Sequence, residues 1–327
     1  MASEITKSDT VPDRSRLFCP MERTMTKVFF SLVDYRNNYF TSDDPNKIIE
    51  FYNGFENRDQ LIQWMKERPK GVANVHEVEG DKEIIVVITT ADYNGKYAKE
   101  CRENIFKGLH IIFVESGGKG DFYFDIAHNF NVGIKKAMDY NPKWVVVSND
   151  DMYKIDDVKQ LKEILRIIDN CQYKVAFTEP ANYHSIPCSL SKQRITRKIL
   201  FRLLGKYRRE QLLLEDKYGV EFFLPPVKGY WKLFFRKGEQ VLSIATFGIF
   251  SSELIKEFGN LYDEVYINSA EDMDLSLKIN RFNDVKIIKF RIGNYFGSTL
   301  GTDVRRHLME IAGLTYFNYK LTAGMFE

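Results

Sequence analysis

The sequence predicts an α/β fold in which a mostly parallel central sheet carries helices on both faces. From residue 83 onward, short runs of β-branched residues alternate with helical segments, which is typical of parallel strands joined by crossover helices. The strand runs are apolar at successive positions, as in strands that are covered on both faces. Because 44% of the 327 residues are hydrophobic, the chain has ample material for such a core.

Two segments precede this alternating pattern. Residues 1–25 are polar and mixed in charge, and we expect them to form a flexible N-terminal tail. Residues 26–82 form an N-terminal extension. Within it the sequence predicts a strand at Lys27–Val33 and a helix at Arg58–Glu67, which a proline and a glycine end. The sequence assigns no role to this extension.

The alternating pattern predicts the remaining elements in order along the chain. The expected strands are Glu83–Thr89, Leu109–Val114, Lys143–Ser148, Lys174–Phe177, Val241–Phe250 and Val285–Phe290. The expected helices are Asn94–Phe106, Ile126–Asp139, Asp156–Ile168, Glu253–Phe258 and Ala270–Asn280. No internal repeat and no low-complexity block interrupts this order.

Charge and cysteine content limit the functions that are open to the chain. A net charge of +2 argues against a surface that binds nucleic acid throughout. Cys19, Cys101, Cys171 and Cys188 form no CxxC pair, so we expect reduced thiols, as in a cytoplasmic protein. The N-terminus lacks the pattern of a signal peptide, and no run reaches the roughly 18 apolar residues of a membrane span. We therefore expect a cytoplasmic protein that is at most peripheral on the membrane.

Polar side chains follow the third strand of the alternating pattern, in the stretch WVVVSNDDMY. Ligands of an open parallel sheet bind at the carboxyl ends of its strands, where Asn149, Asp150 and Asp151 stand. Carboxylates suit Mg²⁺, which takes one or two of them and completes its shell with water and phosphate oxygens. The alternative is a turn or a helix N-cap, because Asp and Asn favour both.

The first and second strands also end in polar residues. Thr89, Thr90 and Asp92 end the first strand, and Glu115 and Ser116 end the second, before two glycines. Glycines allow a ligand to approach the backbone, and a glutamate there can accept hydrogen bonds from a nucleobase or a ribose. A plain turn between strand and helix is the alternative. No GxGxxG follows the first strand, so a dinucleotide site is not indicated.

A third acidic cluster, EDMD at 271–274, stands at the start of a predicted helix. Acidic residues stabilise a helix N-terminus, which is one interpretation. A general base is the other, because neighbouring carboxylates resist ionising together and one of them acquires a raised pKa. His307 follows a basic run and could contact a diphosphate, although a surface histidine would fit equally well.

The order of these segments resembles the family 2 glycosyltransferases of GT-A fold, in particular their rhamnosyltransferase-like members. The resemblance covers roughly residues 83–320. The matching stretches are ITTADYN (88–94), VESGG (114–118), NVGIKKA (131–137), VVVSNDDM (145–152), FGIFSSELIKEFGNLYDE (247–264), AEDMDLSLKI (270–279) and GLTYFNYK (313–320).

The resemblance implies an architecture and a reaction. Residues 83–327 would form a GT-A catalytic domain, with a nucleotide-binding half at 83–180 and an acceptor half at 181–327 that carries a basic insertion at 189–240. The reaction would be inverting transfer of a sugar from a nucleotide-diphosphate donor to a glycan or a lipid-linked acceptor.

The resemblance also implies roles for particular residues. Asp151 would hold Mg²⁺ or Mn²⁺ on the diphosphate. Asp272 would deprotonate the acceptor hydroxyl, with Glu271 as the second choice for that base. The expected donor-binding residues are Thr89, Thr90, Asp92, Glu115, Ser116, Asn131, Asn149 and Asp150.

Two positions depart from the family pattern. The metal motif begins with Asn149 where the family has Asp. A histidine that the family often has before a late Gly-Ser is replaced by Asn294, so Asn294 or His307 is the expected contact to the diphosphate or acceptor. These departures leave open a protein that binds nucleotide sugars or acts as a scaffold without turnover. A nucleotidyltransferase is the other rival, although the chain lacks a Gly-rich, Lys-containing phosphate loop.

A basic amphipathic helix is predicted near residues 192–209, with an apolar stripe that includes Ile199 and Leu203. A second basic and aromatic cluster follows at 229–238. Such segments can lie on an anionic membrane, where each basic residue contributes roughly 1 kcal/mol. The alternative is a solvated helix that packs its stripe on the domain. We expect a membrane surface to be a partner through these two segments, and nucleic acid not to be one.

Overall fold

The structure is a computed structural model. It describes residues 42–117, 125–168, 172–179, 186–192, 199, 203, 209–225, 227, 239–244, 247–267, 269–280, 284–295 and 304–326. The described residues all belong to one structural unit, Tyr39–Glu327. The expected N-terminal tail, the strand at Lys27–Val33, the cluster at 229–238 and most of the basic helix lie outside the described residues.

Twelve strands and nine helices are present in the described ranges. The strands are β1 (Asn74–Val78), β2 (Asp81–Thr90), β3 (Leu109–Glu115), β4 (Trp144–Asn149), β5 (Met152–Lys154), β6 (Val175–Thr178), β7 (Ile186–Lys192), β8 (Phe222–Phe223), β9 (Glu239–Ser243), β10 (Phe247–Ser251), β11 (Val285–Ile288) and β12 (Ile292–Asn294). The helices are α1 (Pro45–Asn53), α2 (Arg58–Glu67), α3 (Lys96–Glu100, continued by the π-helical segment Cys101–Ile105), α4 (Ile126–Met138), α5 (Val158–Ile167), α6 (Arg209–Lys217), α7 (Ser252–Phe258), α8 (Glu271–Ile279) and α9 (Val304–Thr322).

Seven strands form the central sheet, in the order β1-β3-β2-β4-β10-β6-β11. The pairs β2–β3, β2–β4 and β6–β11 are parallel, whereas β1 and β10 run antiparallel to their neighbours. The expected α/β class is therefore confirmed, and the sheet is mixed. Two smaller sheets are present, β12-β5 and β8-β7-β9.

The two faces of the sheet are both buried, which explains the continuous apolar runs. Along β2, Ile84, Val86 and Ile88 pack into one core cluster, and Ile85 and Val87 pack into a cluster on the opposite face. Residues of α5 and of the π-helical segment complete the first cluster, and residues of α4, α7 and α8 complete the second. A strand with this environment needs an apolar residue at every position.

The predicted elements from residue 83 onward are present with ends that shift by at most two residues, with one exception. The expected strand Val241–Phe250 is two strands, β9 and β10, which belong to different sheets. The amide of Phe247, at the start of β10, donates to the carbonyl of Ile244, just after β9, at 3.0 Å. In addition, Lys192, expected within the basic helix, ends strand β7.

A glycine sets the distance between α4 and the sheet. A Cβ added to Gly133 would lie 2.4 Å from Cγ1 of Val87 and 2.8 Å from Cγ2 of Val114. Both distances are too short for real carbon contacts, so only glycine allows α4 to lie this close to β2 and β3. The stretch NVGIKKA therefore has a packing reason for its glycine.

Residues of the predicted N-terminal extension pack against the end of the chain. Helix α1 buries Tyr52, whose hydroxyl donates to the carbonyl of Leu308 at 2.8 Å and accepts from the amide of Ala312 at 3.2 Å. Strand β1 adds itself to the sheet by antiparallel pairing with β3. Val78 of β1 packs against the first core cluster of the sheet, whereas α1 packs against α9.

No helix within the described ranges is long and apolar enough to cross a bilayer.

Candidate functional site

The strand register brings the predicted nucleotide-binding residues to one edge of the sheet. Thr90 on β2 lies opposite Glu115 on β3, and Thr89 lies opposite Asn149 on β4. These strands are parallel, so their carboxyl ends meet at one edge. Asp150 follows β4 directly and extends the same edge.

Thr90 connects three of these segments. Its hydroxyl donates to Oδ2 of Asp150 at 2.6 Å and accepts from the amide of Asp92 at 3.2 Å. Its carbonyl accepts from the amide of Ser116 at 2.9 Å. Because Thr90 is buried, these bonds are shielded from water and hold the ends of β2, β3 and β4 together.

Asp150 and Asp151 are neighbouring carboxylates with little exposure. Burial, together with the negative charge of Asp151, raises the pKa of Asp150 to about 6, although the hydrogen bond from Thr90 opposes the rise. The backbone of the pair is held as well: Sγ of Cys101 donates to the carbonyl of Asp150 at 3.2 Å, and the amide of Tyr295 donates to that of Asp151 at 2.8 Å.

The chemistry of this pair fits a divalent cation that is shared with a phosphate ligand. A cation would offset the repulsion between two like charges in a poorly solvated place. Within the described ranges, no group of three or more His, Cys, Asp and Glu side chains is arranged to hold a metal. Mg²⁺ and Mn²⁺ bind through one or two carboxylates and take other oxygens from substrate and water, so Asp150 and Asp151 are the residues that could hold such an ion.

Glu115 is held as an ionised acceptor. Its Oε1 accepts from the amide of Tyr93 at 2.8 Å, and its Oε2 lies 3.1 Å from Nε2 of His76. The bond from the Tyr93 amide is the main cause that lowers the pKa of Glu115. The rings of His76 and Tyr93 stack at 4.2 Å between centroids. The sequence analysis missed His76, because β1 has only alternating exposure and its pairing with β3 is not a local signal.

The EDMD cluster (271–274) lies at the start of α8. Glu271 is buried and Asp272 is partly exposed; burial raises the pKa of both carboxyls, and the charge of Asp272 raises the pKa of Glu271 further. Oδ1 of Asp272 accepts from the amide of Met273 at 2.8 Å, while Oε2 of Glu271 has no hydrogen-bond partner among the described residues. Ala270, which precedes them, has φ of +68°, a left-handed conformation that costs a non-glycine residue about 1–2 kcal/mol.

The third carboxylate of the EDMD stretch has a different role. Asp274 is buried and accepts from the hydroxyl of Tyr266 at 3.0 Å. Nζ of Lys320 on α9 lies 2.5 Å from its Oδ1, and Nζ of Lys278 lies 2.6 Å from its Oδ2. Two cations therefore neutralise Asp274, and it connects α8 to α9.

Helix α9 packs against the residues that precede Glu271 and Asp272. A Cβ added to Gly313 would lie 2.1 Å from the carbonyl oxygen of Ser269, so the backbone of α9 packs directly against the backbone of the residue before Ala270. The pKa of Asp272 also responds to Glu310, which raises it, and to Arg306, which lowers it.

The remaining predicted site residues lie in three places. His307 shares α9 with these groups, and its Nδ1 lies 3.4 Å from Oε2 of Glu310. Asn294 lies opposite Met152, the residue that follows Asp151. Asn131 does not lie at the sheet edge. Its side-chain Nδ2 donates to the carbonyl of Tyr262 at 2.8 Å, and its Oδ1 accepts from the amide of Tyr262 at 3.1 Å, so Asn131 binds the segment that precedes α8.

Arg68 is a residue that the sequence analysis missed. Its side chain is 0% exposed, and Nη1 lies 2.7 Å from Oδ2 of Asp125, which is equally buried. Nη2 donates to the carbonyl of Tyr266 at 2.9 Å and to that of Glu264 at 3.2 Å. Asp125 caps α4, and its charge contributes to the raised pKa of Glu271. No local signal marks Arg68, because its partners are distant in sequence.

No protein-family model matches this chain, and no curated protein sequence matches it. The likeness to family 2 glycosyltransferases therefore stays a resemblance of ordered motifs.

Arg68→Met should reduce the free energy of unfolding by about 3–5 kcal/mol, because it leaves the carboxylate of Asp125 buried without its cation. Urea unfolding monitored by circular dichroism measures this. Arg166→Met is the matched control: Arg166 also contacts two carboxylates, those of Asp81 and Glu83, but is half exposed, so its loss should cost only about 0–1 kcal/mol. Equal losses for the two variants would contradict the structural role of the Arg68–Asp125 pair.

Glu271→Gln should become more stable than the wild type as pH rises. The folded protein holds a proton on Glu271 that the unfolded chain releases, so the wild-type free energy of unfolding falls between about pH 5 and pH 8. The glutamine variant lacks this loss, and the gain should be on the order of 4 kcal/mol at pH 8 and below about 1 kcal/mol at pH 5. Denaturation curves across this range measure it, with the exposed Glu253→Gln as control. Parallel pH profiles for Glu271→Gln and wild type would exclude the effect.

Proposed function

We propose that the protein is an inverting glycosyltransferase of GT-A type, which moves a sugar from a nucleotide-diphosphate donor to a hydroxyl of a glycan or a lipid-linked acceptor. The proposal rests on the acidic side chains that meet at one edge of the central sheet. An ionised acceptor, Glu115, ends β3, and a close pair of carboxylates, Asp150 and Asp151, follows β4; these two strands lie on either side of β2.

The spacing of these groups suits a nucleotide diphosphate. Strands β3 and β4 are separated by β2, and two strand spacings amount to about 10 Å. A nucleotide can extend across such a distance with its base or ribose at Glu115 and its phosphates at Asp151. Both oxygens of Glu115 already accept one bond each, but a carboxylate offers about four acceptor positions, so it can still bind an N–H or O–H of the ligand.

The carboxylates at the end of β4 would face the diphosphate. Asp151, with Asp150 beside it, would hold Mg²⁺ or Mn²⁺, and the ion would supply stabilisation of the negative charge on the departing diphosphate. Thr90 keeps Asp150 in place through its bond of 2.6 Å. Asn149 ends β4 in register with Thr89 and could donate a neutral hydrogen bond to the ligand.

The acidic pair at α8 would supply the base. A general base works best when its pKa is close to the working pH, and burial raises the pKa of Asp272 and Glu271 in that direction. Asp272 is the better candidate, because it is the more exposed of the two. Removal of that proton would promote direct attack on the anomeric carbon and inversion of its configuration.

The acceptor could be carried by a membrane. Ile199 and Leu203, which belong to the predicted apolar stripe, are helical in the structure and 54% and 79% exposed. Exposed apolar side chains among basic residues favour an interfacial helix that lies on anionic lipid. Flotation with vesicles that contain anionic lipid should carry the protein upward, and Ile199→Glu with Leu203→Glu should prevent it. Failure of the wild type to float would exclude the membrane as a partner.

Nucleotide binding should appear in a thermal-shift panel of UDP, GDP, dTDP and CMP, each with and without Mn²⁺. A ligand at about a hundred times its dissociation constant stabilises the fold by about 2.7 kcal/mol. For a domain of this size, that corresponds to a rise in Tm on the order of 5–10 °C. Asp151→Asn should remove the metal-dependent part of the shift, whereas the exposed Asp139→Asn should not.

The same panel separates the proposal from its rivals. If no nucleotide raises the Tm of the wild type, the proposal is wrong. If a nucleotide binds, its sugar conjugates are tested for turnover, and Asp272→Asn should lower kcat by about 10²–10⁴-fold while it leaves nucleotide binding intact. Binding without any turnover by the wild type would favour the scaffold interpretation.

A further inference from the structure

Three tyrosines from three separate elements meet beside the carboxylate pair. Tyr97 lies in the first turn of α3, Tyr153 lies on β5, and Tyr295 directly follows β12. The ring centroid of Tyr295 is 5.9 Å from that of Tyr97 and 5.2 Å from that of Tyr153, with interplanar angles of 40° and 51°. These distances fall within the range of interacting aromatic pairs. We call the three rings the tyrosine wall.

The tyrosine wall is attached to the sheet edge that carries the carboxylates. The amide of Tyr295 donates to the carbonyl of Asp151 at 2.8 Å, and Tyr153 is two residues beyond Asp151. Tyr97 follows the segment after β2 that contains Asp92. The wall therefore stands next to the place proposed for the diphosphate.

A glycine makes room for the wall. Gly293 pairs with Tyr153 across the two-stranded sheet, and a Cβ at Gly293 would lie 2.1 Å from Cζ of Tyr153. The ring of Tyr153 thus lies across the backbone of β12. Gly293 lies within β12, and Tyr295 directly follows the end of this strand. Tyr153 occupies the space beside Tyr295 that a larger residue at 293 would take.

The wall is open to solvent at Tyr295, which is 50% exposed. Tyr52, Tyr218 and Tyr266 are fully buried in the core. An aromatic cluster with an exposed ring beside polar side chains is a candidate ligand-binding surface. Three tyrosines also bring hydroxyl groups, which can donate to and accept from a polar ligand at the margin of the rings.

We propose that the tyrosine wall binds a pyranose ring, with the C–H face of the sugar against the aromatic face of Tyr295. The aromatic face carries negative charge density and the C–H groups of a pyranose carry a small positive one, so the two surfaces attract each other. The wall stands beside Asp151, where the sugar of a nucleotide-diphosphate donor follows the phosphates, and where an acceptor sugar must also come to react. The proposal rests on the proposed function and specifies which surface contacts the sugar.

The donor is tested by comparing a nucleoside diphosphate with its sugar conjugates by titration calorimetry with Mn²⁺. The probes are UDP with UDP-glucose and UDP-N-acetylglucosamine, GDP with GDP-mannose, and dTDP with dTDP-rhamnose. Tyr295→Ala should reduce the affinity for the tightest-binding sugar conjugate by about 3–10-fold and the affinity for the free nucleotide by less than about twofold. Tyr295→Phe should retain most of the affinity, because the aromatic face is unchanged.

The acceptor is tested by saturation-transfer NMR with methyl glycosides of glucose, galactose and rhamnose, with the bound nucleoside diphosphate present. If the wall receives the acceptor sugar, Tyr295→Ala should remove the glycoside signals and leave the affinity of the donor unchanged. Tyr173→Ala is the control in both measurements, because Tyr173 precedes β6 and so lies at the opposite edge of the sheet. If Tyr295→Ala lowers the affinity for the donor or removes the glycoside signals, and Tyr173→Ala does neither, the proposal is supported. The measurement that changes then identifies whether the donor sugar or the acceptor sugar is bound.

The outcomes also separate this proposal from the function on which it rests. If a nucleotide binds and Tyr295→Ala changes neither sugar conjugates nor glycosides, the tyrosine wall is no sugar site, and the proposed transferase function is unaffected. If the wild type binds no nucleotide, the proposed function is wrong. Glycoside signals that depend on Tyr295 in that case would support the wall as a sugar site independent of transfer.

Discussion

The ion pair between Arg68 and Asp125 is the constraint on which the arrangement of the site depends. Both side chains are completely buried, so they must keep their partners, because an isolated buried charge costs several kcal/mol. The guanidinium also binds the carbonyls of Glu264 and Tyr266. One side chain from the predicted N-terminal extension thus holds the start of α4 and the segment that leads to α8. The extension has a structural role that its sequence did not suggest.

Two pairs of adjacent carboxylates are held in partly buried places, against their mutual repulsion. At the end of β4, Thr90 supports Asp150, and at the start of α8 the helix N-terminus supports Asp272. Ala270 adds a left-handed backbone conformation just before the second pair. Unfavourable charge and backbone geometry accumulate at functional sites, and the rest of the fold has to offset them. Core packing against α4, α8 and α9 supplies that support.

Much of the fold could be predicted from local sequence. The central strands are apolar at every position because both faces of the sheet are covered, and the helices between them have their own periodicity. Strands β5, β8 and β12 escaped prediction because they have only two or three residues, and β7 escaped because its sequence, IPCSLSK, contains no continuous apolar run. Strand β1 escaped as well, because an edge strand is only half buried. The division of the predicted strand into β9 and β10 follows from their pairing with different neighbours, which no local pattern reveals.

The sequence by itself determined that polar residues end neighbouring parallel strands, and hence that Thr90, Glu115 and Asn149 would lie at one edge. That inference needs only periodicity and the rule that parallel strands end together. The tertiary structure decided which carboxylates have a cationic side chain beside them. Asp274 is neutralised by Lys278 of the same helix and by Lys320 from α9, whereas Asp272 has no cation at ion-pair distance among the described residues. Lys320 and Arg68 are far in sequence from the carboxylates that they neutralise, so only the folded molecule can assign these pairs.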